Sequence, residues 1–492
     1  MSKNRNFYIQ LFLLSLSIIF VLFFSWTTSP LYSELPLEYY DSAVYKVIGK
    51  FWAEGFVPYK DFWDQKGPFI HFLNLIGYLI TKTGLGIFYI QVISLYVTLV
   101  ANYRIIHLSC NEKVSLLFTT LIACSLSINY DGGNMVEEFL LPFISIAYYF
   151  LCRYFFTPTN TSNLLKFCFF AGLSFAVSLT TRLTNALGIC ACEGVILLYL
   201  LFRHEMRLML KGFVYSIVGA FIILLPTFAY FLYYDALDDL WYGMFQYNME
   251  YANTSSTTEI KSLSKFFILY FNCFLLIIIS IYGFFVTRRK YYILGLISAL
   301  VPLLWFYESF QFAHYGMIVF PLLAISIIYL HHIPENISAA KYIRRGLIAV
   351  ILSVILYGVI FRIHQQYQTI ASANKQNNIE IFYNKLFNDY SINKKSVLLY
   401  NGSGYIYMKG NIKPPIRFFF LHDFLIHNGK SIEKKILTDL EKVKVEWIIA
   451  TGDIQSSIIK EYVDINYKKV CTRNSCVLYK FKKSNHSNSI NN

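Results

Sequence analysis

Between Tyr39 and Pro68 the chain gathers Asp41, Asp61, Asp64 and Lys66 among aromatic residues: carboxylates suited to taking a proton and a cation suited to holding an anion. Asp41 opens a stretch in which Val44, Val47, Ile48 and Phe51 recur at helical spacing, so it can also cap a helix whose first N–H groups lack partners. Two short helices lying on a membrane are expected from this loop, holding Asp41 at its surface. Lys66 is harder to explain structurally. It precedes Gly67-Pro68, where Pro begins an apolar helical run from Phe69 to Ile80. A cation there opposes the helix dipole unless an anion such as phosphate lies between them.

Three later stretches carry the same residue types. In NYDGGNMVEEFLLPF, from Asn129 to Phe143, Asp131 sits in a glycine turn and Glu137-Glu138 at the mouth of an apolar run. The paired acids could orient a sugar, bind a cation or mark a helix start, where acidic residues are favoured. TRLTN supplies Arg182, whose partner is either an anionic lipid headgroup or a substrate phosphate gripped through two parallel hydrogen bonds. HYGMIVFPLL supplies His314 and Tyr315; Tyr also suits an aromatic belt, and His a packed hydrogen bond. The acidic, aromatic stretch DALDDLWYGMFQYNMEYANTSS, starting at Asp235, suits a surface-lying lid, an acceptor contact or an interfacial helix.

The elements that must position these residues are apolar. With 492 residues, 56% of them hydrophobic, and a mean hydropathy of +0.46, the chain is expected to be a polytopic α-helical membrane protein. About eleven spans are expected, near 7–27, 86–106, 114–130, 136–152, 165–180, 185–202, 212–232, 264–287, 291–307, 313–330 and 346–362. With the N-terminus cytoplasmic, fifteen Lys and Arg from Lys3 to Arg345 fall on that side, against Arg182, Lys261 and Lys265 in the short loops opposite. The long first loop adds Lys46, Lys50, Lys60, Lys66 and Lys82. All the candidate clusters then share the extracytoplasmic face. The net charge of +14 is largely these topology-setting residues, which argues against a nucleic-acid partner. The first span, with no small-x-small cleavage site after it, reads as a retained anchor.

The expected domains are a membrane domain over 1–362, with 28–85 as its first loop, then a small soluble extracytoplasmic α/β domain over 363–483 and a disordered tail over 484–492. In the α/β domain, Ser396–Tyr400 and Glu446–Ala450 read as buried strands, Ser431–Lys444 as a helix and Val470–Phe481 as a hairpin. Cys471 and Cys476 could form a disulfide or stay reduced. Glu193, the one charge well inside a span, is expected to be neutral or internally paired.

Taken in order, these motifs resemble those of the GT-C superfamily of integral-membrane glycosyltransferases, particularly the family 39-like group of protein mannosyltransferases and the lipid A aminoarabinose transferase. The resemblance covers roughly the whole membrane part. It is most specific in PYKDFWDQKGPF, Pro58 to Phe69, while VEEFLLPF, TRLTN and HYGMIVFPLL are similar to weaker family patterns. It implies a polyprenyl-phosphate-linked sugar donor and an inverting transfer on the outer face of the plasma membrane, to a glycan, lipid or protein of the cell envelope. It also implies an essential acid in the first loop, which by position is Asp41, acting as general base on an acceptor hydroxyl. Lys66 and Arg182, with His314, would neutralise the departing phosphate, and Asp61, Asp64, Asp131, Glu137, Glu138 and Tyr315 would contact substrate. Many members have two consecutive acids where this chain has Asp41-Ser42. Asp61 and Asp64 therefore stay as reserve bases, and metal use stays open, with no cofactor demanded and a divalent cation allowed.

The competing class is a transporter or flippase of a lipid-linked sugar. Transporters place polar groups near the midplane and show repeated halves, and this sequence does neither. A catalytically inactive assembly partner is a third reading.

Overall fold

The computed structural model describes residues 3–33, 40–158, 160–254, 262–308, 312–334, 338–376, 378–402, 404–429, 431–473 and 475–482. The tail expected at 484–492 lies outside the described residues. The chain divides into two units: one of residues 1–37, 68–230 and 259–372, the other of 38–67, 231–258 and 373–492.

The first unit is a bundle of helices. Among the described residues of the chain, seven helices are long and apolar enough to cross a bilayer, and two bent pairs bring the number to nine. These pairs are Leu263–Leu269 with Phe271–Thr287, bent by 74°, and Ala313–Val319 with Pro321–His331, bent by 40°. The chain is a multi-pass membrane protein. The run expected at 114–130 is helical only over Glu112–Leu126, 15 residues. Beyond it the N–H groups of Ser127, Ile128 and Asn129 turn back onto Cys124, Ser125 and Leu126. At about 1.5 Å per residue this helix is shorter than the roughly 30 Å hydrocarbon layer. Residues 291–307 likewise form a shorter apolar helix, and Pro68 opens the helix Pro68–Ile80 as its sequence requires.

Helices in lipid gain little from burying apolar surface against one another, so close packing must hold them. A Cβ on Gly172 would lie 1.9 Å from the Ser216 carbonyl oxygen, and one on Gly219 2.0 Å from that of Phe169, so helices Thr161–Leu179 and Met206–Tyr233 meet backbone to backbone here. Beside them Glu193 is buried, and its Oε1 has no hydrogen-bond partner among the described residues.

The second unit is built on a four-stranded sheet of order β1-β2-β4-β3, with β1 Val397–Tyr400, β2 Trp447–Thr451, β3 Tyr467–Arg473 and β4 Cys476–Phe481. β1 and β2 are parallel, and β4 runs antiparallel to both β2 and β3. The two expected strands, the helix (Ile432–Val443) and the hairpin are all present. Alternate side chains cover both faces. Leu398, Tyr400, Ile448 and Ala450 pack with Ile436, Leu440, Ile459 and Val463, while Val397, Leu399, Trp447 and Ile449 pack with Leu386 and Phe387. Burial on both sides explains why these strands read as unbroken apolar runs. Cys471 and Cys476 are both free thiols, since the pairing sets Cys471 opposite Leu478 and Cys476 opposite Arg473.

Segments far upstream complete both cores, which corrects the expectation for the loops. Val44, Val47, Ile48 and Phe51, on the helix Tyr40–Ala53, are at most 3% exposed and pack on the Val397 and Leu399 face. Each such burial contributes about 1.5–3 kcal/mol. The stripe expected to lie on a membrane is thus a core face, and residues 54–67 form turns and loop rather than a second surface helix. An apolar stripe states that a face must be covered, not by what. The acidic, aromatic stretch beyond Asp235 behaves similarly. Tyr247 is fully buried and donates to the Leu425 carbonyl at 2.9 Å, Glu250 accepts from Ser431 N and Oγ at 3.0 and 2.9 Å, and Asp239 pairs with Arg417 at 2.9 Å. It is a wall of this unit rather than a lid.

Candidate active site

In the first unit the chain leaves the Glu112–Leu126 helix and turns sharply through Gly132 and Gly133, whose φ values of 79° and 84° lie in the left-handed region. Thr27 clasps the turn, donating from N and Oγ1 to the Gly132 carbonyl at 3.1 and 2.9 Å. The turn presents Asp131 to a histidine and an arginine. Its Oδ2 is 3.4 Å from His314 Nδ1 and its Oδ1 accepts from Arg362 Nη2 at 3.0 Å. His314 rides on the 3-10 helix Ala313–Val319, anchored by Asn129 Nδ2 donating to the carbonyls of Ala313 and Leu269 at 3.1 Å each. Arg362 is 3% exposed, also donates to the Tyr130 carbonyl, and sits 5.2 Å from the Trp26 ring.

Beyond the turn, the helix Val136–Phe156 begins with two acids that do different work. Glu138 is saturated. Its Oε2 accepts from the backbone N–H of Asn134 at 2.8 Å and of Met135 at 3.3 Å, the orphan donors of the helix start, and from Gln91 Nε2 at 3.0 Å. Its Oε1 accepts from Tyr130 Oη and from Gln91 at 2.9 Å. Burial, reinforced by the Glu138 charge, holds the Tyr130 phenol well above its ordinary pKa, so it serves as a donor.

Glu137, fully buried, is not saturated. Its Oε1 accepts from Asn185 Nδ2 at 3.1 Å and stands 3.6 Å from Arg182 Nη1, while Oε2 has no hydrogen-bond partner among the described residues. Arg182 lies at the start of the 3-10 turn Leu183–Ala186, whose reversal is pinned by Ser178 Oγ donating to the carbonyls of Arg182 and Leu183 at 2.7 and 2.8 Å. Its guanidinium lies 3.2 Å from the Tyr315 ring centroid and 6.0 Å from that of Phe306, and Nη1 is buried without a hydrogen bond. The structure therefore brings Asp131, Glu137, Glu138, Arg182, His314 and Tyr315 into one connected network, and Arg362 and Tyr130 join it unannounced. Arg362 had been readable only as the end of the span 346–362, although a charge interrupting an apolar helix is itself a signal.

The other four candidates belong to the second unit. Asp41 is half-buried in the first turn of Tyr40–Ala53, where a carboxylate is favoured by the helix dipole. Phe51 of that helix stacks on Phe62 at 4.8 Å, tying it to the loop that carries the rest. In that loop the acids serve the backbone: Asp61 Oδ2 accepts from Val57 N at 2.7 Å, and Asp64 Oδ1 from Gln65 N at 2.7 Å. Tyr59 Oη donates to the Lys66 carbonyl, whereas the Lys66 ammonium has no hydrogen-bond or ion-pair partner among the described residues. Lys46, one turn along from Asp41, has its ammonium pushed down to about 8 by burial. Among the described residues no three His, Cys, Asp or Glu side chains gather as a metal-binding group. A hollow between helices Ile432–Val443 and Ser457–Asn466 is lined by none of the candidate residues.

No protein-family model matches this sequence, and no curated protein matches it either. Among solved structures, the chain is similar to ArnT from Cupriavidus metallidurans bound to undecaprenyl phosphate, with TM-score 0.57 and 12% identity over 98% of this chain and 99% of that one. The same protein in its apo state gives TM-score 0.55 and 13% identity, over 97% and 98%. The chain thus shares the fold of ArnT over its whole length, a helical membrane part with a small C-terminal sheet, which is the fold its motifs led one to expect.

Proposed function

We propose that the protein is a membrane glycosyltransferase that moves a sugar from a polyprenyl-phosphate-linked donor to a hydroxyl on a glycan, lipid or protein of the cell envelope. What supports this most is the end-to-end likeness in fold to a protein solved with undecaprenyl phosphate bound. The residues are consistent with it. Among the described residues, Arg182 Nη1 makes no hydrogen bond and the Lys66 ammonium has no hydrogen-bond or ion-pair partner, which leaves each able to meet an anion.

In this reading Asp41 takes the proton of the acceptor hydroxyl as its oxygen bonds to the anomeric carbon from the face opposite the leaving group, inverting that centre. The bond from the anomeric carbon to the phosphate oxygen breaks, and the electron pair leaves with polyprenyl phosphate. Arg182 and Lys66, with His314 oriented by Asp131, stabilise the charge that develops there. Tyr315 fixes the guanidinium plane of Arg182, Glu137 contacts the sugar, and Glu138 secures the helix start beneath it. Asp61 and Asp64 shape the loop that presents Lys66. The reaction takes place on the extracytoplasmic side of the plasma membrane, with the N-terminus cytoplasmic and the sheet-bearing C-terminal segment outside.

The test is to reconstitute the purified protein in liposomes with labelled undecaprenyl-phosphate sugars and hydroxyl acceptors. Release of undecaprenyl phosphate with label on the acceptor is the expected result. Label that crosses the bilayer still joined to its lipid would overturn transfer in favour of a flippase.

A further inference from the structure

The buried polar atoms that lack hydrogen-bond partners among the described residues include Glu137 Oε2, Arg182 Nη1, Asn185 Oδ1 and Tyr270 Oη. These four form one group. Asn185 Nδ2 bonds to Glu137, Arg182 stands 3.6 Å from Glu137 and 6.0 Å from the Phe306 ring, and Tyr270 stacks on that same ring. Tyr270 occupies the break between the two halves of a bent helix pair and stacks on Phe306 at 5.1 Å, which in turn stacks on Tyr315 beneath the guanidinium. Asn185 also borders a small hollow of about 10 Å³ with Tyr148 and Ser298, room for one water, so a sugar enters only if neighbouring side chains move.

Two of these atoms can only accept, one can only donate, and the phenol can do either. A bare phosphate dianion only accepts, so Glu137 Oε2 and Asn185 Oδ1 would repel it. A ligand with neighbouring hydroxyls satisfies all four. Resting on the glycosyltransferase reading, we propose that Asn185, Tyr270 and the open oxygen of Glu137 form a hydroxyl-binding subsite that holds the sugar of the lipid-linked donor, beside the phosphate and not around it. A buried hydroxyl without a partner weakens the empty protein. Its retention at Tyr270 is explained by a ligand that completes the hydrogen bond.

The test compares the affinity of the full-length protein in nanodiscs for undecaprenyl phosphate alone and for undecaprenyl phosphate carrying glucose, mannose, galactose or N-acetylglucosamine. Tyr270→Phe and, as a second variant, Asn185→Ala should weaken binding of the preferred sugar-bearing lipid tenfold or more while leaving undecaprenyl phosphate within twofold. The melting temperature of Tyr270→Phe should be unchanged or higher. Equal loss for both lipids, or no loss for either, would overturn the subsite while leaving transferase activity intact. Wild-type protein that favours no sugar-bearing lipid over undecaprenyl phosphate would overturn the subsite too, and if it also failed to transfer sugar the parent reading would fall with it.

Discussion

Two acidic neighbourhoods of this molecule treat their hydrogen bonds in opposite ways. In the loop over 57–66, Asp61 gives an oxygen atom to a backbone N–H group of its own segment, and the turn is held closed. At the start of Val136–Phe156, Glu138 does the same for the helix, but its neighbour Glu137 and the facing Arg182 and Asn185 keep buried atoms unused. Adjacent residues of one type thus divide into a builder and a binder. Leaving a buried polar group unpaired costs about 1–3 kcal/mol, so hydrogen bonds withheld in one place mark where a ligand is expected.

That contrast can be broken by substitution. Arg182→Gln removes a cation that makes no hydrogen bond among the described residues but stands 3.6 Å from the buried Glu137, so it should lower turnover roughly 10²–10³-fold, more than the moderate fall in melting temperature from the lost ion pair accounts for. A large melting shift would make Arg182 a builder. Glu138→Leu strips partners from two backbone N–H groups, Gln91 and Tyr130, and should destabilise by about 2–3 kcal/mol, read as a clear drop in the detergent melting curve. Asp61→Ala loses one turn-closing acceptor, an expected cost of about 1 kcal/mol, with activity falling only as the folded fraction falls. The smallest effect concerns pH. Burial lowers the Lys46 ammonium to about 8 from 10.5, so the unfolded chain holds that proton over a range where the folded one has lost it. Stability should therefore rise as pH climbs through this window, with the burden of the charged amine fully present below it. Melting curves of Lys46→Met between pH 7 and pH 10.5 should be flatter than those of the wild type.

Much of this architecture is legible in the chain. Unbroken apolar strands at 397–400 and 447–451, the period of Ile432–Val443, and Pro68 at a helix start each state a local rule that tertiary packing respects. What burial partners a face has is not local. The stripe of Val44, Val47, Ile48 and Phe51 carries the same pattern whether lipid or β1 covers it, and the covering strand lies some 350 residues downstream. The site divides in the same way. Residue type exposed Arg182 and Glu137 as candidates, but which of two adjacent glutamates would be saturated depends on Gln91 and Tyr130, and Arg362 reaches Asp131 from 231 positions away.

The most direct measurement is the turnover of labelled undecaprenyl-phosphate sugar by Asp41→Asn protein that melts like the wild type. Asn keeps the shape and removes the proton acceptor, so transfer should fall by about 10²–10⁴-fold. Wild-type turnover in that variant would show that Asp41 is not the base.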